Sequence, residues 1–395
     1  MNSMASLQPG LSRLQKSALA VGVAALALCA AGAFRSPTQF FRSYLFAFVF
    51  WVGVTLGCSA ILMLHHLVGG RWGFPLRRCL ESGTRTFYLM AVLALPLLFG
   101  LRLLYSWADP EKVKLDALLQ YKAPYLNVPF FIARTVVYFL VWIAMAHFLN
   151  KWSLEQDQTA DRDLTRRLQS LSGPGLVIFG LTVTYASVDW VMSLEPKWFS
   201  TIYGMIFMVT EGLAAMSLVT IAAILLSSYE PISGLVSKRV LNDHGNLLLT
   251  FTMLWAYLSF SQYLIIWSGN VQDEISWYVS RASGGWARVA LALVVFHFAV
   301  PFLLLLSRFV TRQKLWLGVV AAIQLLMSVI DIFWLTAPAY ERGGPQFHAL
   351  DWLAVLGVGG VWLWQFITNL KDRPLLPAHD PRLEGIAELG GEQHA

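Results

Sequence analysis

Thr184 to Glu211 reads TYASVDWVMSLEPKWFSTIYGMIFMVTE. An apolar helix enters this stretch and another leaves it, with only Glu195-Pro196-Lys197 as the turn between them. Pro196 ends the first helix, because proline pushes the preceding residue out of the α region. Ser200 is placed to cap the second. Trp190, Trp198 and Tyr203 suit an interfacial aromatic belt. Two acids flank the turn, Asp189 before it and Glu211 after it, at depths where hydrocarbon is hostile to charge. A carboxylate there costs roughly +2.5 to +3.5 kcal/mol on insertion scales, so it needs a partner, water or a proton.

Working outward, the whole chain has the same character. Of 395 residues, 57% are hydrophobic and 13% charged, and mean hydropathy is +0.58. A soluble domain carries about 25% charged residues, so these values describe an integral membrane protein. The isoelectric point of about 9.2 does not imply nucleic acid. The basic residues lie in short loops between apolar runs, where they orient helices. Cys29, Cys58 and Cys79 are scattered. They form no pair spaced for a metal or cluster and no attachment motif for haem.

A span must cross about 30 Å with about 20 residues. Ten runs qualify: 17–34, 44–66, 86–107, 128–149, 174–194, 201–227, 246–267, 286–306, 315–334 and 351–370. The first also resembles a cleaved signal peptide, with Arg13 and Lys16 before it and small residues at its end. Arg71, Arg77, Arg78, Arg85, Arg162, Arg166, Arg167, Arg308 and Arg312 fall in loops on the side of the N-terminus. The opposite loops hold far fewer, such as Lys112, Lys114, Lys197 and Arg281. Both termini are therefore predicted cytoplasmic, and Glu195-Pro196-Lys197 faces outward. The longest loops are 67–85, 108–127 and 150–173; the last is charged with both signs and reads as helical. The tail 371–395 is rich in proline and charge, an extended cytoplasmic arm suited to lie against another subunit.

The fifth run ends Ser187-Val188-Asp189-Trp190, and the ninth ends Ser328-Val329-Ile330-Asp331-Ile332-Phe333-Trp334. Both run outward, and four helices separate them. The expected fold is all-α, one polytopic domain of ten transmembrane helices. Helices 2–5 (44–194) and 6–9 (201–334) would form two four-helix bundles, flanked by helices 1 and 10. Chance similarity between apolar segments explains the echo equally well.

Few ionisable groups lie inside the spans. Arg102, Arg134, Asp189 and Asp331 sit toward outer ends, Glu211 and His297 nearer the middle, and His65, His66 and His147 at inner ends. An intramembrane ionisable residue is a functional candidate by default. Arg102 and Arg134 can instead snorkel, or pair with Asp189 across the bundle. Glu211 is the sharpest candidate for passing protons, because it is too deep to snorkel. His297 can join it, helped by the backbone carbonyl that Pro301 frees, or can simply bond a neighbouring helix. Asp189, Glu211, His297 and Asp331 thus form a candidate proton path. Tyr257, Ser261 and Gln262, with Arg134, offer contacts for a quinone headgroup or a water chain, or ordinary interhelical hydrogen bonds. Haem ligation would need two facing histidines at one depth, and only His297 is near mid-membrane.

Three segments resemble one family. SVDWVMSLEPKWFSTIYG at 187–204, MLWAYLSFSQYLIIWSGN at 253–270 and PLLPAHDPRLEG at 374–385 are similar to the ActF family of membrane subunits (quinone-binding subunit 2) of bacterial alternative complex III. The resemblance covers most of the chain from about residue 40. It implies a subunit of a quinol:cytochrome c oxidoreductase in the respiratory chain of the bacterial inner membrane, related to NrfD/PsrC-like proteins. The implied partners are a multihaem cytochrome c, an iron–sulfur subunit, an ActC-like membrane subunit, a small membrane subunit and a monohaem cytochrome c. Haem c and iron–sulfur clusters would belong to those partners, and this chain would bind no redox centre or metal of its own. Menaquinol or ubiquinol would be the electron donor, and the ActC-like subunit is the better candidate for its site. Lipids surround the chain, and no nucleic acid is expected. The rival readings are a proton-coupled secondary transporter, which would use broken helices at matched positions, and a purely structural membrane subunit.

Overall fold

A computed structural model describes residues 4–159, 161–341, 343–377 and 379–383. Among them there are no strands, and ten helices are long and apolar enough to cross a membrane. They are α1 (Leu7–Ala33), α2 (Pro37–Val68), α3 (Arg71–Phe99), α4 (Val128–Gln158), α5 (Asp163–Leu194), α6 (Tyr203–Leu226), α7 (Lys238–Gly269), α8 (Trp286–Leu305), α9 (Lys314–Ala339) and α10 (Ala349–Lys371). Each expected run has its helix. Several are longer than hydropathy alone predicts, because polar helix continues past the apolar stretch.

Two of the long connecting segments, 67–85 and 150–173, are in fact largely helix. Phe74–Thr84 forms the first part of α3 and is buried throughout, including Arg77, Arg78 and Glu81. The segment 150–173 is occupied by the end of α4 and the start of α5, as its mixed charge suggested. At the outer turn, α6 begins at Tyr203 without a side-chain cap. Ser200 instead donates to Gln262 Oε1 at 2.8 Å. Trp190, Trp198 and Tyr203 are buried, not at the lipid boundary. Trp198 stacks on Trp277 with ring centroids 4.7 Å apart.

α2 lies at the centre, buried along nearly its whole length. It packs on α3, α5, α6 and α10. α3 also meets α4, and α4 meets α5. α6 touches α7 and α9, and α8 packs on both α7 and α9. The contact between α2 and α6 is close because of Gly57. A Cβ there would stand 2.3 Å from the Glu211 carbonyl oxygen, so any larger residue must push the helices apart. Without a hydrophobic drive between helices in lipid, such small-residue contacts set how near two backbones come.

α1 and α10 form an antiparallel pair on the same principle. A Cβ on Gly360 would lie 2.5 Å from Gly22 Cα. Gln15 donates to Thr368 at 2.7 Å, and Lys371 to Ser12 at 2.8 Å. The two terminal segments therefore lie at one face of the protein.

Candidate functional site

Asp189 is fully buried and fully partnered. Arg134 of α4 grips it through both arms of its guanidinium, Nε to Oδ2 at 2.8 Å and Nη2 to Oδ1 at 2.9 Å. The Tyr138 hydroxyl adds a bond to Oδ2 at 2.7 Å. Arg134 also donates to the Tyr125 carbonyl and lies over the Tyr125 and Phe130 rings, 3.9 and 4.3 Å from their centroids. Such a bidentate pair fixes geometry as well as charge. It ties α4 to α5 and closes the Asp189 carboxylate. Of the two outcomes open for Arg134, pairing is the one adopted. Arg102 is exposed.

Asp331, on α9, has no such cation. Its Oδ2 accepts from Thr210 of α6 at 2.8 Å and from the Trp255 indole of α7 at 3.0 Å. The Trp255 ring in turn meets the buried His297 imidazole edge-on, centroids 4.6 Å apart. His297 lies in a π-helical turn, Leu293–Ala299, just before Pro301, which has no N–H to give to the preceding turn. Single π turns recur at functional sites. Neither ring nitrogen of His297 has a hydrogen-bond partner among the described residues. Sequence reading selected Asp331 and His297 but missed the two residues that join them to α6, Thr210 and Trp255. Both lay in segments already singled out, Thr210 directly before Glu211.

Glu211 is buried, and neither carboxyl oxygen has a hydrogen-bond partner among the described residues. Successive residues on a helix point about 100° apart, so while Thr210 faces Asp331, Glu211 faces α2. Its Cγ stands 3.0 Å from where a Cβ on Gly53 would sit. Gly53 and Gly57 thus make the space the acid occupies. A buried polar atom without a partner calls for explanation, commonly water or catalytic use. Of the four candidate acid and histidine positions, then, Asp331 and His297 share Trp255, Glu211 faces α2, and Asp189 stands apart in its own pair.

The quinone-contact candidates diverge. Gln262 points inward, accepting from Ser200 and donating to the Tyr278 hydroxyl at 3.2 Å. Tyr257 is 67% exposed on the outer surface of α7, and Ser261 is half-buried. Beside Gln262 lies an ion pair that sequence did not anticipate. Arg281, fully buried between α7 and α8, donates to Glu195 of the outer turn at 2.8 Å and to the Leu335 carbonyl at 3.0 Å. It also lies 3.7 Å over the Trp277 ring. Burial pulls its guanidinium below its ordinary value, and Glu195 opposes that.

At the opposite face a second unanticipated assembly binds the tail. Arg77 donates to Glu81 at 3.0 Å, Asp380 at 2.5 Å, Ser153 at 2.9 Å and Gln156 at 3.0 Å. Arg78 bonds Glu81 and Asp157. Arg373 reaches Asn150 at 3.0 Å, and Arg382 grips Asp380 at 2.8 Å and the His66 carbonyl at 3.3 Å. The described part of the tail is thus docked on its own chain, on α3 and α4, where sequence reading offered it to another subunit. Burial pushes Asp380 up, but the hydrogen bonds from Arg382 and the nearby Arg77 charge bring it down to about 2. His65 and His66 lie beneath this cluster, buried, with all four ring nitrogens unpartnered among the described residues. His147 is exposed.

Among the described residues, no group of histidine, cysteine and acidic side chains could hold a metal ion. No protein-family model matches this chain, and no curated protein matches it.

Proposed function

We propose that this chain is a multi-pass subunit of a quinol-oxidising, electron-acceptor-reducing complex of the bacterial inner membrane, and that its own task is to pass protons. The observation that carries the proton reading is Glu211. It is an acid within a spanning helix, with two carboxyl oxygens buried and unpartnered, held beside glycines of the central helix. Proton carriers need a group that can take and release a proton without a fixed counter-ion. Asp331, Thr210, Trp255 and His297 form a second polar cluster, which Thr210 places on a different side of α6 from Glu211. Asp189 does not serve as a carrier in this reading, because Arg134 holds it.

The membership of a complex rests on the resemblance of 187–204, 253–270 and 374–385 to the ActF family. The scaffold would be two four-helix bundles, α2–α5 and α6–α9, with α1 and α10 outside. The closed circuits of contact α2–α3–α4–α5 and α6–α7–α8–α9 support that division. Both termini would be cytoplasmic. Haem c and iron–sulfur clusters would sit in partner subunits, with menaquinol or ubiquinol as donor.

The test is mild-detergent purification of the tagged protein from native membranes, with a reduced-minus-oxidised spectrum of the eluate. A c-type haem band with several co-eluting chains is expected. Glu211→Gln should then leave assembly and quinol oxidation intact and abolish proton translocation by reconstituted complex. Unchanged translocation in Glu211→Gln and Asp331→Asn together would sink the proton role. The π turn beside Pro301 favours one rival, a proton-coupled transporter with an irregular helix. A colourless eluate of this chain alone would promote it.

A further inference from the structure

A groove of about 380 Å³ opens on the flank of the protein between α3 and α10, lined by Arg85, Tyr88, Leu89, Val92, Gln365 and Asn369. Its walls are ordered by polarity. Arg85 and Asn369 stand at the end where the terminal segments lie, the cytoplasmic side by the distribution of Lys and Arg. Val92 lies seven residues further along α3, about 10 Å deeper at 1.5 Å per residue. Tyr88 and Val92 are 51% and 60% exposed, so the deep end faces the lipid side of the helix pair.

Arg85 is half-buried at the rim. It donates to the Asn369 carbonyl at 3.1 Å and to Asp372 at 3.0 Å. A guanidinium has five N–H donors, so these two bonds leave three for a ligand. Asp372 is itself 57% exposed and holds Arg85 only from the solvent side. Positive charge is in excess here. Arg373 follows Asp372 and is spent on Glu81 and Asn150. Burial pushes Arg373 below its ordinary value. Glu81 opposes this, while Arg85 and Arg78 add to the downward push.

We infer that this groove is a binding site for an anionic phospholipid of the inner leaflet, its phosphate on Arg85 and an acyl chain along Leu89 and Val92. A cation at headgroup level above an apolar, lipid-facing slot matches the charge and the orientation of such a molecule. Basic pockets between helices on the cytoplasmic side are a recurring form of anionic-lipid site. Arginine suits phosphate because its planar fork can bond two oxygens at once. The inference needs a membrane-spanning chain with its terminal segments on the cytoplasmic side, and stands whether or not protons pass through Glu211.

The test uses the full chain purified with whatever accompanies it, stripped of loosely held lipid, then offered phosphatidylglycerol or phosphatidylcholine of the same acyl length and read by native mass spectrometry. Phosphatidylglycerol should be retained about tenfold over phosphatidylcholine, the worth of one charge-assisted contact. Arg85→Gln should abolish that preference, and Arg85→Lys should restore part of it. Val92→Trp, which fills the slot and leaves the charge in place, should reduce retention of both lipids. Excess inorganic phosphate should leave the lipid bound. Equal retention of the two lipids by the unaltered chain would overturn the proposal, as would retention indifferent to both Arg85→Gln and Val92→Trp. Displacement by phosphate with no effect of Val92→Trp would assign Arg85 to a free anion and overturn the lipid reading too.

Discussion

Asp189 and Asp331 occupy related places, each near the C-terminal end of a spanning helix, and each close to a tryptophan. Their surroundings differ completely. Asp189 receives three bonds, two of them from a guanidinium. Asp331 receives two bonds from neutral donors, a threonine hydroxyl and an indole. In the first case a cation has entered the membrane with the acid, and the pair is closed. In the second, the acid is solvated only by dipoles and has no charged partner among its bonds. One sequence signal, an aspartate in an apolar helix, therefore leads to an ion-pair clamp in one half of the protein and to a group free of any counter-ion in the other. Glu211 carries the second condition further, with no protein bond at all.

That contrast is most easily broken at Arg134. Arg134→Ala leaves the Asp189 carboxylate buried with only the Tyr138 hydroxyl to answer it. Losing one member of a buried pair costs about 3–5 kcal/mol, read as a fall in the thermal unfolding midpoint in detergent. The double variant Arg134→Ala/Asp189→Asn should recover much of that loss. A single variant as stable as the unaltered chain would mean the pair is no clamp.

The tail cluster gives the next largest effect and extends the comparison to the face where the terminal segments lie. Against the upward push of burial, hydrogen bonds from Arg382 and the Arg77 charge hold the Asp380 carboxyl down at about 2, below the usual aspartate range. A carboxyl depressed on folding contributes stability that is whole above about pH 4 and is lost as pH falls toward 2. At neutral pH, Asp380→Asn should cost about 2 kcal/mol. It should also expose 372–383 to limited proteolysis. Protection of the tail that declines already between pH 7 and 5 would show that other groups govern docking.

How far these features could be read in advance depends on sequence distance. Ten spans were legible because hydropathy is local, and because the bilayer demands a length. That Glu211, Asp331 and His297 fall inside those spans was legible for the same reason. Their partners were not. Arg281 meets Glu195 from 86 residues away and Arg77 meets Asp380 from 303, and nothing local marks either pair. Arg77, Arg78 and Glu81 were misplaced in a loop because charge outweighs helix propensity in a hydropathy window. Their burial becomes possible only once the tail and the end of α4 supply opposite charges and amides. Tyr257, Ser261 and Gln262 looked like one site because they are close in sequence. On a helix, Tyr257 and Gln262 point to different sides, one to the surface and one to Ser200 and Tyr278.

A smaller effect is expected at Asp331. Asp331→Asn keeps a carbonyl oxygen able to accept from both Thr210 and Trp255, so the net loss should be about 1 kcal/mol or less. The comparison with Arg134→Ala is direct, since both act on a buried aspartate near the C-terminal end of a spanning helix. A loss at Asp331→Asn equal to that at Arg134→Ala would mean that Asp331 too depends on its charge, and the two halves would no longer differ.

Glu211→Gln should be the least costly for folding and the most costly for function. The side chain keeps its volume against Gly53 and Gly57. No protein hydrogen bond is lost, because neither oxygen makes one. The unfolding midpoint should therefore move by no more than about 0.5 kcal/mol of stability, the range of substitutions that break nothing. An amide cannot carry the proton, so any flux through this acid should cease in reconstituted vesicles while the protein remains folded. That combination separates a carrier from a structural acid. A residue kept for packing or bonding would reveal itself by a large loss of stability. A carrier reveals itself by flux alone. If Glu211→Gln instead destabilises the chain as strongly as Arg134→Ala does, Glu211 belongs with Asp189 as a structural group, and the contrast between the two halves of the protein fails at its centre.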